Sequence, residues 1–73
     1  MLKPKIGDVV VAMIGDSPLI CKIHYITQSG QTLMCDVIGG RAKRSYLQYG
    51  INITPDYIDE FMTHVWRSQN GIS

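Results

Sequence analysis

Two thiols and an imidazole are the side chains with the widest chemical reach in this chain: Cys21, Cys35 and His24. Thiolate and imidazole together bind zinc, and a thiolate alone can serve as a nucleophile. Lys22, beside Cys21, would be a general base if a hydroxyl nucleophile stood next to it. A different chemistry is offered by Arg41, Lys43 and Arg44 with Tyr46 and Tyr49 close behind: cations for phosphates, rings for stacking on bases. What these residues can do depends on which elements carry them and which faces they share.

Val9 to Ile14 is an unbroken apolar, largely β-branched run, the pattern of a strand covered on both faces. Gly15-Asp16-Ser17-Pro18 is dense turn chemistry. Leu19–Ile26 and Gln31–Ile38 alternate with a period of two, which puts Leu19, Cys21, Ile23 and Tyr25 on one face and Leu33, Cys35 and Val37 on one face of the next strand. Gln28-Ser29-Gly30 predicts a three-residue hairpin loop with Gly30 in the left-handed conformation. Thr27 then lies opposite Gln31, Tyr25 opposite Leu33, Ile23 opposite Cys35 and Cys21 opposite Val37. That face is wholly apolar, which supports the register independently. On the other face Lys22 meets Asp36, an opposite-charge pair, and His24 meets Met34.

This register decides the thiol chemistry. Cys21 and Cys35 become diagonal neighbours, roughly 7–8 Å apart at Cα. A disulfide wants about 4.4–6.8 Å. His24 points to the opposite face and cannot complete a metal site with them, and two thiolates fall short of a tetrahedral zinc set. Both cysteines therefore read as small core hydrophobes, and His64 has no partner in the pattern. No catalytic set, metal site or cofactor is expected.

Gly39-Gly40 ends the meander. Ser45–Tyr49 (SYLQY) reads either as a fourth strand or as a short helical turn, and Ile51-Asn52-Ile53 favours extended chain. Thr54 is a good N-cap, Pro55 suits the first helical position, and Asp56, Asp59 and Glu60 suit the positive end of the dipole. Tyr57, Ile58, Phe61, Met62, Val65 and Trp66 recur at helical spacing, Arg67 lies in the last turn, and Asn70-Gly71 is a stop. The spacing predicts a helix over 55–69 that lies on the sheet as a lid. Burying the only tryptophan and the only phenylalanine there would stabilise by several kcal/mol. The predicted fold is α+β: an antiparallel meander curling into a small SH3-like barrel or sheet, with a C-terminal amphipathic helix. It forms a single domain over 1–73, with 69–73 as a tail.

Gly7-Asp8-Val9-Val10-Val11-Ala12, followed by Leu19-Ile20-Cys21-Lys22-Ile23, resembles the barrel of LexA-type serine peptidases. The resemblance implies that Lys22 stands close to the catalytic lysine of that family. The family's nucleophilic serine comes from an earlier segment, whereas six residues precede Gly7 here and none is serine. The expectation is a shared barrel architecture without the catalysis.

At 73 residues, with 45% hydrophobic and 18% charged, the chain is a folded single domain too small for an enzyme carrying its own cofactor fold. No apolar run approaches the roughly 18 residues of a membrane span. The N-terminus MLKPKIGD lacks a signal peptide's apolar core. A cytoplasmic setting with reduced thiols is the expectation.

Charge placement says more than the net charge of +1. Lys3 and Lys5 form one basic segment, and Arg41, Lys43 and Arg44 form another. Val9–Ile14 holds more apolar surface than one helix can cover, and Ile20 and Ile26 lie on the Lys22 face. Curling with a residual exposed patch is expected, and such a patch points to protein binding. The expected partner-binding residues are Lys3, Lys5, Val9, Val11, Arg41, Lys43, Arg44 and Tyr46.

In length and overall layout the whole chain resembles the small phage-encoded regulators that bind host RNA polymerase. That resemblance implies a non-enzymatic, protein-binding inhibitor of transcription initiation that also acts in antitermination, with polymerase subunits as partners and a monomer or weak dimer as its state. It rests on no diagnostic motif and transfers no contact residue. Two other readings of the residues stand beside it. One is a small barrel that binds single-stranded nucleic acid through its basic edge. The other is a toxin/antitoxin-type or structural module that dimerises through the first strand.

Overall fold

A computed structural model describes residues 3–71. Four antiparallel strands follow one another in sequence and in space: β1 (Val9–Ile14), β2 (Ser17–Ile26), β3 (Leu33–Gly40) and β4 (Ile51–Ile53). A short helix α1 (Arg44–Tyr49) precedes β4. A 3-10 turn (Pro55–Tyr57) and helix α2 (Glu60–Gln69) follow it. Ser45–Tyr49 is thus helical, and Ile51–Ile53 is the fourth strand.

The sheet curls into a half-barrel. After the 3-10 turn the chain returns to the first strand: Ile58 makes a lone antiparallel bridge to Ala12, and the Asp59 N–H donates to the Val11 carbonyl at 2.8 Å. The concave side holds the core, formed by Val10, Ala12, Leu19, Cys21, Ile23, Leu33, Cys35, Val37 and Ile53. Ile58, Ala42 and Tyr46 are among the partly buried residues packed against it.

Register is where expectation and structure part and then rejoin. Cys21↔Val37, Lys22↔Asp36 and Ile23↔Cys35 pair as the alternation demands. The loop, however, is one residue longer than expected: the Thr27 N–H donates to the Thr32 carbonyl, and the Thr32 N–H donates to Thr27 Oγ1. Gly30 does adopt the left-handed conformation, with φ +74°. A bulge between Ile23 and Tyr25 absorbs the extra residue. Tyr25 consequently pairs with Met34 and is half exposed, rather than facing Leu33 inside the core. A second irregularity, between Ile20 and Cys21, shifts the far end of β3 so that Leu19 pairs with Gly40. There the backbones come so close that a Cβ on Gly40, already at φ +88°, would collide with the Pro18 carbonyl oxygen.

The C-terminal region departs most from expectation. The predicted continuous helix over 55–69 is two pieces, because Ile58 is extended (φ −75°, ψ 125°) in order to bridge Ala12. Thr54 caps nothing with its side chain; Asp59 is the N-cap of α2, accepting from the Met62 N–H at 2.8 Å. Nor is α2 a lid on the core. It runs beside β1 and satisfies that strand's outer edge: the Val11 N–H donates to Thr63 Oγ1 at 2.9 Å, and Arg67 Nε donates to the Val9 carbonyl at 3.0 Å. Thr63 is the one fully buried residue of the helix, while Phe61 is 75% exposed. The core is roofed instead by the chain between Ala42 and Ile58.

With its outer edge occupied by α2, β1 cannot add a strand from a second copy unless the helix leaves. Of the ways a dimer could form through the first strand, edge-to-edge pairing at Val9 and Val11 is the one that α2 obstructs. Gln69 is the last residue of α2 and Asn70 caps it. Of the expected tail, 72 and 73 lie outside the described residues.

Candidate functional site

Val11 and Ile20 are paired across β1 and β2, so both side chains stand on the convex face of the sheet. α2 covers Val11 completely but leaves a groove beside it. One wall is Pro18 and Ile20; the other is Phe61, Met62, Val65 and Trp66 from the helix. The groove encloses about 250 Å³, and its lining is almost wholly apolar. Arg41 follows Gly40 at one rim, and Lys22 stands two residues beyond Ile20 on the same face; both are exposed. The residual apolar patch expected from the strand surplus exists, but the helix supplies most of it. The same stripe that reads as core-facing in the sequence is the outer wall of the groove.

The expected partner-binding residues do not form one surface. Lys3 and Lys5 are exposed on the approach to β1, and the Lys5 backbone N–H donates to Asp8 Oδ2 at 3.0 Å. Val9 gives its carbonyl to Arg67. Val11 is buried at the floor of the groove. Arg41, Lys43 and Arg44 are exposed where the chain enters α1. Tyr46 is half buried against the core, with Lys43 Nζ 5.7 Å from its ring centroid. The N-terminal segment is tied down where the Gly7 N–H meets the Ile23 carbonyl, and the basic loop where the Arg41 N–H meets the Pro18 carbonyl. Those two anchors, Pro18 and Ile23, are five residue steps apart along β2, about 17 Å of strand.

Phe61 and Val65 were missed as surface residues, whereas Ile20 lies, as expected, on the outer face with Lys22. No sequence signal marks this: periodicity identifies the stripe, and only the Ile58–Ala12 bridge and the Asp59 cap, seen in the fold, turn it outward.

The chemistry-bearing residues resolve differently. Cys21 and Cys35 are free, buried thiols that each donate weakly to the carbonyl two residues back, Leu19 and Leu33. Burial pushes the Cys21 thiol up to about 12, with Cys35 adding to the effect. Burial likewise pushes Cys35 up to about 11, with the Asp36 charge adding to it. Burial thus disfavours the thiolate in both at neutral pH, which weighs against a nucleophilic role. His24 sits in the β2 bulge with Nδ1 3.3 Å from Asp36 Oδ1, both side chains exposed, so this pair contributes little to stability. Among the described residues no three His, Cys, Asp or Glu side chains gather where they could hold a metal.

A second concavity opens on the unclosed side of the half-barrel, between Ile14 and Ile51–Ile53, with Tyr46 and Tyr57 in its wall. No described helix is long and apolar enough to cross a membrane. Compared with protein-family models, curated proteins and solved structures, the chain matches none of them.

Proposed function

We propose that this chain is a non-enzymatic, protein-binding regulator whose target is host RNA polymerase, inhibiting transcription initiation and acting in antitermination. The single observation that carries protein binding is the apolar stripe of α2, turned away from the core to wall a groove with Pro18 and Ile20. Exposing Phe61 to water sacrifices burial free energy that a covering partner would recover. The occupant that suits this groove is an amphipathic segment of a polymerase subunit. Its apolar side chains would fill the groove and its acidic side chains would meet Arg41 and Lys22 at the rim. The choice of polymerase rests on the likeness in length and layout to small phage-encoded regulators. The proposed place of action is the host cytoplasm, where both thiols stay reduced.

The test uses purified bacterial RNA polymerase and the tagged chain. Retention of polymerase through a stringent wash, lost on Phe61→Asp and Val65→Asp with the circular dichroism spectrum unchanged, supports the reading. Weaker promoter-dependent run-off synthesis with the wild-type chain supports the regulatory role. Absence of retention overturns the choice of polymerase. Retention unaffected by both substitutions overturns the groove as the contact.

A further inference from the structure

Beyond the groove, the molecule has a second surface whose chemistry is of another kind. From Val37 to Pro55 the sequence contains Arg41, Lys43 and Arg44 and no acidic residue. All three cations are exposed, and among the described residues no carboxylate pairs with any of them. They lead into α1, a helix without a single buried residue. Its last residue, Tyr49, is 79% exposed, and Leu47 is 56% exposed. Tyr46 holds the helix down by packing against the core, with Lys43 beside its ring, so Tyr49 is the aromatic left open to solvent on this arm.

An exposed aromatic costs solvation, and three unpaired cations close together repel one another. A ligand that is both polyanionic and planar-faced relieves both. An acidic peptide would satisfy only the charge. Duplex nucleic acid keeps its bases stacked and leaves a surface ring with nothing to stack on, whereas single strands offer both phosphates and open base faces.

We propose that α1 and the loop leading into it bind single-stranded nucleic acid, with Arg41, Lys43 and Arg44 contacting phosphates and Tyr49 stacking on a base. The site shares Arg41 with the rim of the groove but not its apolar lining; Tyr49→Ala tests this site and Phe61→Asp and Val65→Asp test the groove, so the two readings fail separately.

The experiment is fluorescence anisotropy of a labelled oligothymidylate titrated with the full chain at low salt, with a duplex of equal length and polyglutamate as competitors. Binding is expected to weaken with salt at a log–log slope of about −2, as release of counterions by three cations on a single strand requires. Tyr49→Ala should weaken it at least about five-fold, and joint Arg41→Ala, Lys43→Ala and Arg44→Ala should abolish it. All four side chains are exposed, so the variants are expected to keep the wild-type melting temperature, and each is checked for it. No anisotropy change at low salt overturns the proposal. So does competition by polyglutamate or duplex equal to that of the single strand, or a Tyr49→Ala variant that binds as tightly as wild type.

Discussion

Thr63 Oγ1 lies 2.9 Å from the Val11 backbone nitrogen, accepting its hydrogen bond while donating to the Asp59 carbonyl at 2.6 Å. One hydroxyl thus joins the first strand to the last helix across 52 residues of sequence, in a place sealed from water. A strand edge that would otherwise present unpaired amides to solvent is closed by a helix side chain, and this joint sets where the apolar stripe of α2 faces.

Thr63→Val keeps the shape and removes the acceptor, leaving the Val11 N–H buried without a partner. Urea unfolding should show a loss of about 1–3 kcal/mol. Thr63→Ser retains the hydroxyl and should recover a substantial part of that loss. Equal stability of all three proteins would show that the joint does not hold the helix.

Phe61 and Leu19 test which residues are core. Leu19 is wholly buried, and Leu19→Ala should cost about 2–5 kcal/mol through lost burial and a residual cavity. Phe61→Ser, at a side chain 75% exposed, should change the denaturation midpoint little. A loss for Phe61→Ser comparable to that for Leu19→Ala would restore the helix to the role of core lid.

Alkaline pH should unfold this protein through its thiols. The folded pKa values, about 12 for Cys21 and about 11 for Cys35, lie above the ordinary 9.0. The native state therefore keeps protons that the unfolded state releases. The stability each thiol carries is complete below pH 9 and is lost as pH rises toward 11–12. The loss approaches about 1.4 kcal/mol per pH unit for each thiol. Urea midpoints measured from neutral pH upward should fall more steeply in wild type than in Cys21→Ala/Cys35→Ala. Parallel pH profiles would remove the thiols as the cause.

Much of the sheet was legible in the residues. The alternation of Leu19-Cys21-Ile23 and Leu33-Cys35-Val37 determines the inner face by itself, because a one-residue slip would bury Lys22 and Asp36. The placing of both thiols in the core follows from the same alternation. Tyr25 escaped the pattern because a longer loop and a compensating bulge cancel in register, and no local propensity marks either.

The candidate surfaces divide in the same way. Clustering of Arg41, Lys43 and Arg44 near Tyr49 is a fact of sequence, and only the fold shows that Tyr46 turns inward while Tyr49 stays out. Helical periodicity from Phe61 to Trp66 is likewise written in the chain. Which way that stripe faces is not, because periodicity identifies a face and never what it meets. Tertiary structure decided it when Ile58 was drawn into a bridge with Ala12 and Thr63 into a bond with Val11. Satisfying the buried backbone of β1 took the polar side of the helix inward, and the apolar side was left to wall the groove.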